Sequence, residues 1–238
     1  MCNIANSMET ISTVTDLLFI VTTVFSIWLF HRATGGRGLI LIALLLLAAV
    51  YAVIAKMGYF TQHLQVPPAI VFVPATSVLV FLLFFFSKSG GQLLNQANLK
   101  SLTLLHIVRI PVELVLYLLC QGKTVPELMT FAGSNPDIIS GITAPIALLL
   151  FWRKGQLNKV GLLIWNVACL ALLANIVLRA ALSVPTPLQQ FGFEQPNIAI
   201  LYYPYVWLPG IVVPVVFAAH VASIRQLIRK DNSGAKLV

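Results

Sequence analysis

Four polar side chains share one face of an otherwise apolar stretch, His106-Ile-Val-Arg109-Ile-Pro111-Val-Glu113-Leu-Val-Leu-Tyr117. At about 100° per residue in a helix, His106, Arg109, Glu113 and Tyr117 fall within an arc of about 80°. Arg109 and Glu113 have the i, i+4 spacing of a helical ion pair. Pro111 between them removes an N–H and weakens the helix bond to the Ile107 carbonyl. Such a face serves one of two ends. It is a binding surface offering charges, an imidazole and a phenol to a ligand, or it is scaffold in which a buried pair ties one helix to its neighbours. Asn166 and His220 lie at about the same depth in later segments, and with His106 and Arg109 they form a candidate inner polar cluster. A histidine in such a place also serves simply as a hydrogen-bonded packing residue. His106, His220 and Glu113 lack close ligand spacing, and no CxxC or Cys/His cluster occurs, so neither a metal nor a cofactor is expected.

A second set of ionisable residues lies nearer the opposite ends of their segments. Asp16 with Lys56, and Asp137 with Arg179, read as two ion pairs lining an outer vestibule, with Glu127 and Asn135 crowding the second. The alternative is structural: interfacial clips in which Lys56 and Arg179 reach for water along their apolar stems.

The elements that carry these residues follow from composition. Of 238 residues, 59% are hydrophobic and 9% charged, against roughly a quarter charged in soluble domains. So few charges cannot cover a surface for water, and a helix crosses the hydrocarbon with about 20 apolar residues. Apolar segments at 11–30, 38–59, 68–87, 101–121, 137–153, 159–183 and 198–227 predict an all-α bundle of seven transmembrane helices, a single membrane domain over 1–238. The fifth is short unless it begins in the preceding loop. Breakers lie between the segments: Gly35-Gly36, Pro67-Pro68, Gly90-Gly91, Pro136, Pro185 and Pro187. Arg32, Arg37, Lys88, Lys100, Arg153, Lys154, Lys159, Arg225, Arg229, Lys230 and Lys236 fall in alternate connections and the tail, while Glu127 and Glu194 fall in the others. That bias places the N-terminus outside and the C-terminus in the cytoplasm of a multi-pass cell-membrane protein. It also explains the net charge of +8 without a nucleic-acid partner. Cys2 and Cys120 fall on one side, so a disulfide is conceivable. The first apolar run lacks the basic leader of a cleaved signal peptide.

The chain also repeats itself. Asp16 to Arg32 lies over Asp137 to Arg153 without a gap, matching Asp, Thr22 with Thr143, Leu29 with Leu150, Phe30 with Phe151, and Arg. Met8 precedes Asp16 as Met129 precedes Asp137. Gly38 to Lys56 and Gly161 to Arg179 have equal length. The reading is a 3+1+3 parallel repeat: three helices over 11–87, a linker helix over 101–121, and three more over 137–227, related by an axis along the membrane normal. Chance sharing of Leu and Phe is the competing explanation, but it does not account for the charged matches.

The runs RIPVELVLYLL (109–119), VPELMTFAGSNPDI (125–138) and PTPLQQFGFEQPNIA (185–199) resemble a family of uncharacterised bacterial seven-helix membrane proteins. The three-plus-one-plus-three helix layout with an external N-terminus is similar to that of the SWEET and PQ-loop transporters, a match of organisation only. No Pro-Gln dipeptide occurs, and the prolines sit mainly in the third, fourth, fifth and seventh segments, so no SWEET site residue carries over. Helix count and orientation also match microbial rhodopsins, but the seventh segment contains no lysine, so no retinal is expected. Besides the lipid bilayer, the expected partner is a small molecule bound or transported near the fourth segment. A membrane-embedded lipid-modifying enzyme with Glu113 or Asp137 as acid/base is an alternative, and so is a receptor-like or structural bundle. The Tyr202-Tyr203-Pro204-Tyr205 run and Trp207 read as an interfacial belt, with Pro204, Pro209, Pro214 and Gly210 loosening the seventh segment. The topology is open to a direct check: a cysteine placed at position 156 is expected to resist membrane-impermeant maleimide in intact cells and to label only after lysis.

Overall fold

The computed structural model describes residues 11–153 and 155–229. Cys2, Met8, Lys154, Lys230, Lys236 and the C-terminal tail beyond residue 229, all used above, lie outside the described residues. Six helices are long and apolar enough to cross a membrane: α1 (Thr13–Ala33), α2 (Gly38–Lys56), α3 (Ala69–Phe86), α5 (Leu99–Gln121), α7 (Lys159–Ala181) and α8 (Leu208–Ile228). Between α3 and α5 lies the short helix α4 (Lys88–Gln96). A further apolar helix, α6 (Ile138–Phe151), has 14 residues.

Three local expectations need correction. The connection 88–100 is not a loop: Ser87 caps α4 by accepting from the Gly90 N–H, and the bare Gly90 sits where a Cβ would meet the Phe84 carbonyl at 1.8 Å. The fifth segment stops at Phe151, and Trp152–Arg153 (β1) pairs antiparallel with Gln156–Leu157 (β2). Gly155 supplies the positive φ of 77° that this tight turn needs. The seventh segment is not helical from residue 198. It makes a 3-10 turn at Ala199–Leu201 and becomes helical only at Leu208, because Pro204 and Pro209 each withhold an N–H from the ladder.

The central helices are α5 and α8, each 61% buried over its apolar window, against 28–44% for the other long helices. α8 packs against α1, α2, α3, α4, α5 and α7, while α5 packs against α1, α6 and α8. The outer helices turn apolar side chains such as Leu39, Phe86 and Leu149 outward, which is stable only against lipid. The basic connections gather at one end of the bundle. There the Asn98 N–H donates to the Ala33 carbonyl, Gln226 Nε2 donates to the Leu94 and Ala97 carbonyls, and Lys100 Nζ lies 5.9 Å from the Trp152 ring centroid. At the other end, Gln195 Nε2 bonds the Cys120 and Val125 carbonyls, fastening the long loop between α7 and α8 over α5.

α8 opens with a π turn at Leu208–Val212. Pro214 has no N–H to offer the Gly210 carbonyl four residues back. Ser77 Oγ of α3 donates to that carbonyl instead, and Tyr51 of α2 bonds Ser77 Oγ at 2.8 Å. Gly210 must be glycine for this contact, since a Cβ would stand 2.7 Å from the Tyr51 ring. In lipid a stranded carbonyl has no water to turn to. Ser77→Ala is therefore expected to cost about 1–2 kcal/mol of stability. Thr103→Ala, whose hydroxyl bonds a carbonyl of its own helix, is expected to cost little. Thermal unfolding in detergent measures both.

Candidate functional site

Arg109 lies 12 residues short of the far end of α5 (121 − 109), about 18 Å at 1.5 Å per residue. It is buried, as are His106 and Glu113. The helix tightens to a 3-10 turn at His106–Val108, just ahead of Pro111. The expected Arg109–Glu113 pair does not form. Arg109 Nε faces Asp137 Oδ2 at 3.2 Å, and both Nη atoms donate to the Cys169 carbonyl of α7 at 3.2 Å. Glu113 Oε1 instead accepts from Asn135 Nδ2. A residue at i+4 reaches along its own helix, but Asp137 approaches from a neighbouring one with a free choice of angle.

The segment from Gly122 to Asp137 makes this possible. It runs back alongside α5, deeper at each step. The Thr124 hydroxyl donates to the Leu119 carbonyl, Phe131 stacks on Tyr117 at 5.1 Å, Asn135 reaches Glu113, and Asp137 reaches Arg109. Asn135 also donates to the Met129 carbonyl and accepts from the Asp137 N–H, so one side chain ties the loop to itself and to Glu113. Helix α6 then starts at the depth of Arg109, which explains its short length. Non-helical backbone at such depth is tolerated where protein buries it, and Thr124, Val125, Met129, Thr130 and Asn135 are all buried. Gly141 lets α6 close on α5: a Cβ there would stand 2.8 Å from Ile110 Cγ1 and 3.1 Å from the Ile110 amide nitrogen.

The structure divides the other candidates. Asp137 does not pair with Arg179, which donates from Nε to Asn175 Oδ1 of its own helix. Asp16 does not pair with Lys56: it accepts from the Tyr205 hydroxyl at 2.6 Å, while Lys56 Nζ lies 4.4 Å from the Tyr203 ring centroid. Both cations sit on helix surfaces where other partners are nearer. Glu127 is exposed. The outer polar cluster thus gives up Asn135 and Asp137 to Arg109 and Glu113, and the rest disperses. Asn166 and His220 do meet, with His220 Nδ1 3.0 Å from Asn166 Oδ1. The His106 and His220 rings stack at 3.9 Å, with Trp165 edge-on to His106.

A cavity of about 270 Å³ lies on the other side of Arg109. Arg109, Glu113 and Asp137 are the charged residues lining it, and nearly all of the rest is apolar, from Val112, Leu173, Ile176 and Val216 to Pro209. It does not extend to His106, Tyr117, Asn166 or His220, contrary to the expectation of one continuous polar space. Of the helical polar face only Arg109 and Glu113 reach the cavity wall. Val71, Val177 and Leu188 line the cavity and are also exposed on the protein surface, so it opens sideways between α3, α7 and the loop that joins α7 to α8. Glu113 Oε2 and Asp137 Oδ1 are buried and bond no protein group. The sequence reading missed the Cys169 carbonyl and the apolar walls. Gly141, a glycine within an apolar helix, was the available signal for the close contact of α5 and α6.

An all-α bundle with lipid-compatible walls and buried charges around an internal cavity defines a class: a multi-pass membrane protein with an interior polar site. Residues 66–228 match a family described as a domain of unknown function (DUF8737), and the chain belongs to that family. The match takes in α3 to α8 and every charged residue of the cavity. No curated protein and no solved structure matches the chain.

Arg109→Leu is expected to lower stability by about 3–5 kcal/mol, because it strands buried carboxylates. Adding Asp137→Asn should recover more of this than adding Glu113→Gln, as read from thermal unfolding of the single and double variants. Equal recovery would return the pairing to Glu113.

Proposed function

We propose that this protein binds and transports a small molecule with an apolar body, admitted sideways from the membrane into the cavity beside α5. The observation that carries this reading is the cavity's division of labour. Three charged side chains gather at its inner end, two of their oxygens have no partner, and the remaining wall is apolar and reaches the lipid-facing surface. Ligand pockets combine an apolar lining with a few polar groups in this way. Pro209 and the π turn of α8 form part of the wall, so the element most able to change its hydrogen bonding touches the ligand.

Seven crossings belong to this proposal, the fifth made by α6 together with the loop that descends to it. The basic connections at one end support an external N-terminus and a cytoplasmic C-terminus. The 3+1+3 repeat is supported by Thr22 and Thr143, which bond the carbonyls four residues back in matching positions. A lipid-modifying enzyme is the second reading, favoured by the same unpartnered Glu113 oxygen, a candidate acid/base. Consumption of the bound molecule without its movement across the membrane would mark it.

The test uses azioctanol, a photoreactive alcohol that partitions into bilayers. Saturable labelling at Leu173 or Val216, displaced by octanol, is expected in lipid nanodiscs. Leu173→Trp should abolish it without a large loss of thermal stability, because the indole fills existing space. Labelling confined to lipid-facing residues such as Leu149 and Phe86 would sink the reading.

A further inference from the structure

The charges around the cavity do not balance. Arg109 supplies one positive charge, and Glu113 and Asp137 supply two negative ones. From α3, α8 and the loop that joins α7 to α8 only uncharged side chains face this space. The other titratable groups near Arg109 are Cys169 on α7 and the stacked pair His106 and His220, none of which lines the cavity. A surplus carboxylate in a low-dielectric interior is costly unless a proton or another cation neutralises it. The two oxygens that lack partners, Glu113 Oε2 and Asp137 Oδ1, are both acceptors. They call for a donor from whatever enters. Arg109 meanwhile directs Nε at Asp137 and both Nη atoms at the Cys169 carbonyl. An incoming anion would therefore add negative charge where the carboxyls already outnumber the cation, with the guanidinium engaged elsewhere.

We infer that the cavity takes a monocationic amphiphile, a primary ammonium on a single medium-length apolar chain, in exchange for one proton. This rests on the reading of the cavity as a binding site and names its substrate class. In the empty site Arg109 offsets one carboxylate, and a proton on the second carboxyl offsets the other. The ammonium N–H groups donate to Glu113 Oε2 and Asp137 Oδ1, and the displaced proton leaves to solvent. One positive charge replaces another, so the site stays neutral in both states. A two-chain aminophospholipid is a different source of ammonium. Its phosphate would restore the surplus negative charge, and about 270 Å³ is small even among single-ligand pockets, which run from roughly 300 Å³ upward.

Four probes decide the matter on the wild-type protein in phosphatidylcholine nanodiscs: octylammonium, octanol, octanoate and a short-chain phosphatidylethanolamine. Empty nanodiscs correct each for partitioning. Octylammonium is expected to bind at least about tenfold more tightly than octanol, with octanoate and the phospholipid weaker than octanol. Its binding should release one proton in weakly buffered solution, and its affinity should rise about tenfold per pH unit as protons become scarce. Glu113→Gln is expected to remove both the preference for octylammonium over octanol and the proton release. Octanoate or the phospholipid binding as well as octylammonium would overturn the inference, and so would octylammonium binding without proton release. Those results would leave the cavity a binding site. If none of the four binds, the binding reading itself fails, and the inference with it.

Discussion

The guanidinium of Arg109 is the constraint around which the bundle is arranged. A full charge in the middle of a membrane-spanning helix has no solvent to lean on, and leaving it unpaired costs several kcal/mol. Its partners come from two other helices. Asp137 arrives at the start of α6, and the Cys169 carbonyl belongs to α7. Satisfying one side chain therefore sets the depth at which α6 begins, the path of the loop before it and the distance between α5 and α7. The loop from Gly122 to Asp137 descends along α5 because its end must meet Arg109, and Asn135 stabilises that descent by bonding Glu113 and the loop's own backbone.

A similar logic holds for α8. Proline removes backbone donors from a helix that cannot borrow water, and neighbouring helices supply the missing bonds. Ser77 and Tyr51 perform this for the Gly210 carbonyl, and the Trp207 indole does so in reverse by donating to the Ala48 carbonyl of α2. These contacts join the irregular start of α8 to α2 and α3. They also mean that the wall of the cavity is held by side-chain hydrogen bonds rather than by an unbroken helical ladder. Such bonds have equivalents elsewhere in the bundle and can be exchanged at modest cost, which suits a wall that moves.

The two buried polar groups serve different ends. The His106, His220 and Asn166 cluster lies outside the cavity lining, and its rings stack in close packing. It holds α5, α7 and α8 together at the basic end. Glu113 and Asp137 line the cavity instead, and each keeps one buried carboxylate oxygen without a hydrogen bond. One face of α5 thus divides along its length, with packing residues at His106 and cavity-lining residues at Glu113, and Arg109 at the boundary serves both.

Much of this architecture was determined by the sequence alone. A chain with so little charge has only lipid as a possible solvent, and helical period with proline and glycine punctuation marks where its apolar segments lie. The polar face of α5 was visible because four polar residues at helical spacing contradict an otherwise apolar run. The sequence also placed Asn166 and His220 at a common depth, since depth follows from counting residues along straight helices. Partner choice was decided only by the tertiary structure. Within one helix, Arg109 sees Glu113 at i+4, but the competing acid lies 28 residues away (137 − 109), on a segment whose approach depends on a glycine contact and a descending loop. Charges at the ends of long, flexible side chains pair with whatever packing brings nearest, as Arg179 and Lys56 did. The cavity had no sequence signal of its own, because apolar residues facing an internal space, a neighbouring helix or lipid are chemically alike, and only the angles between helices tell them apart.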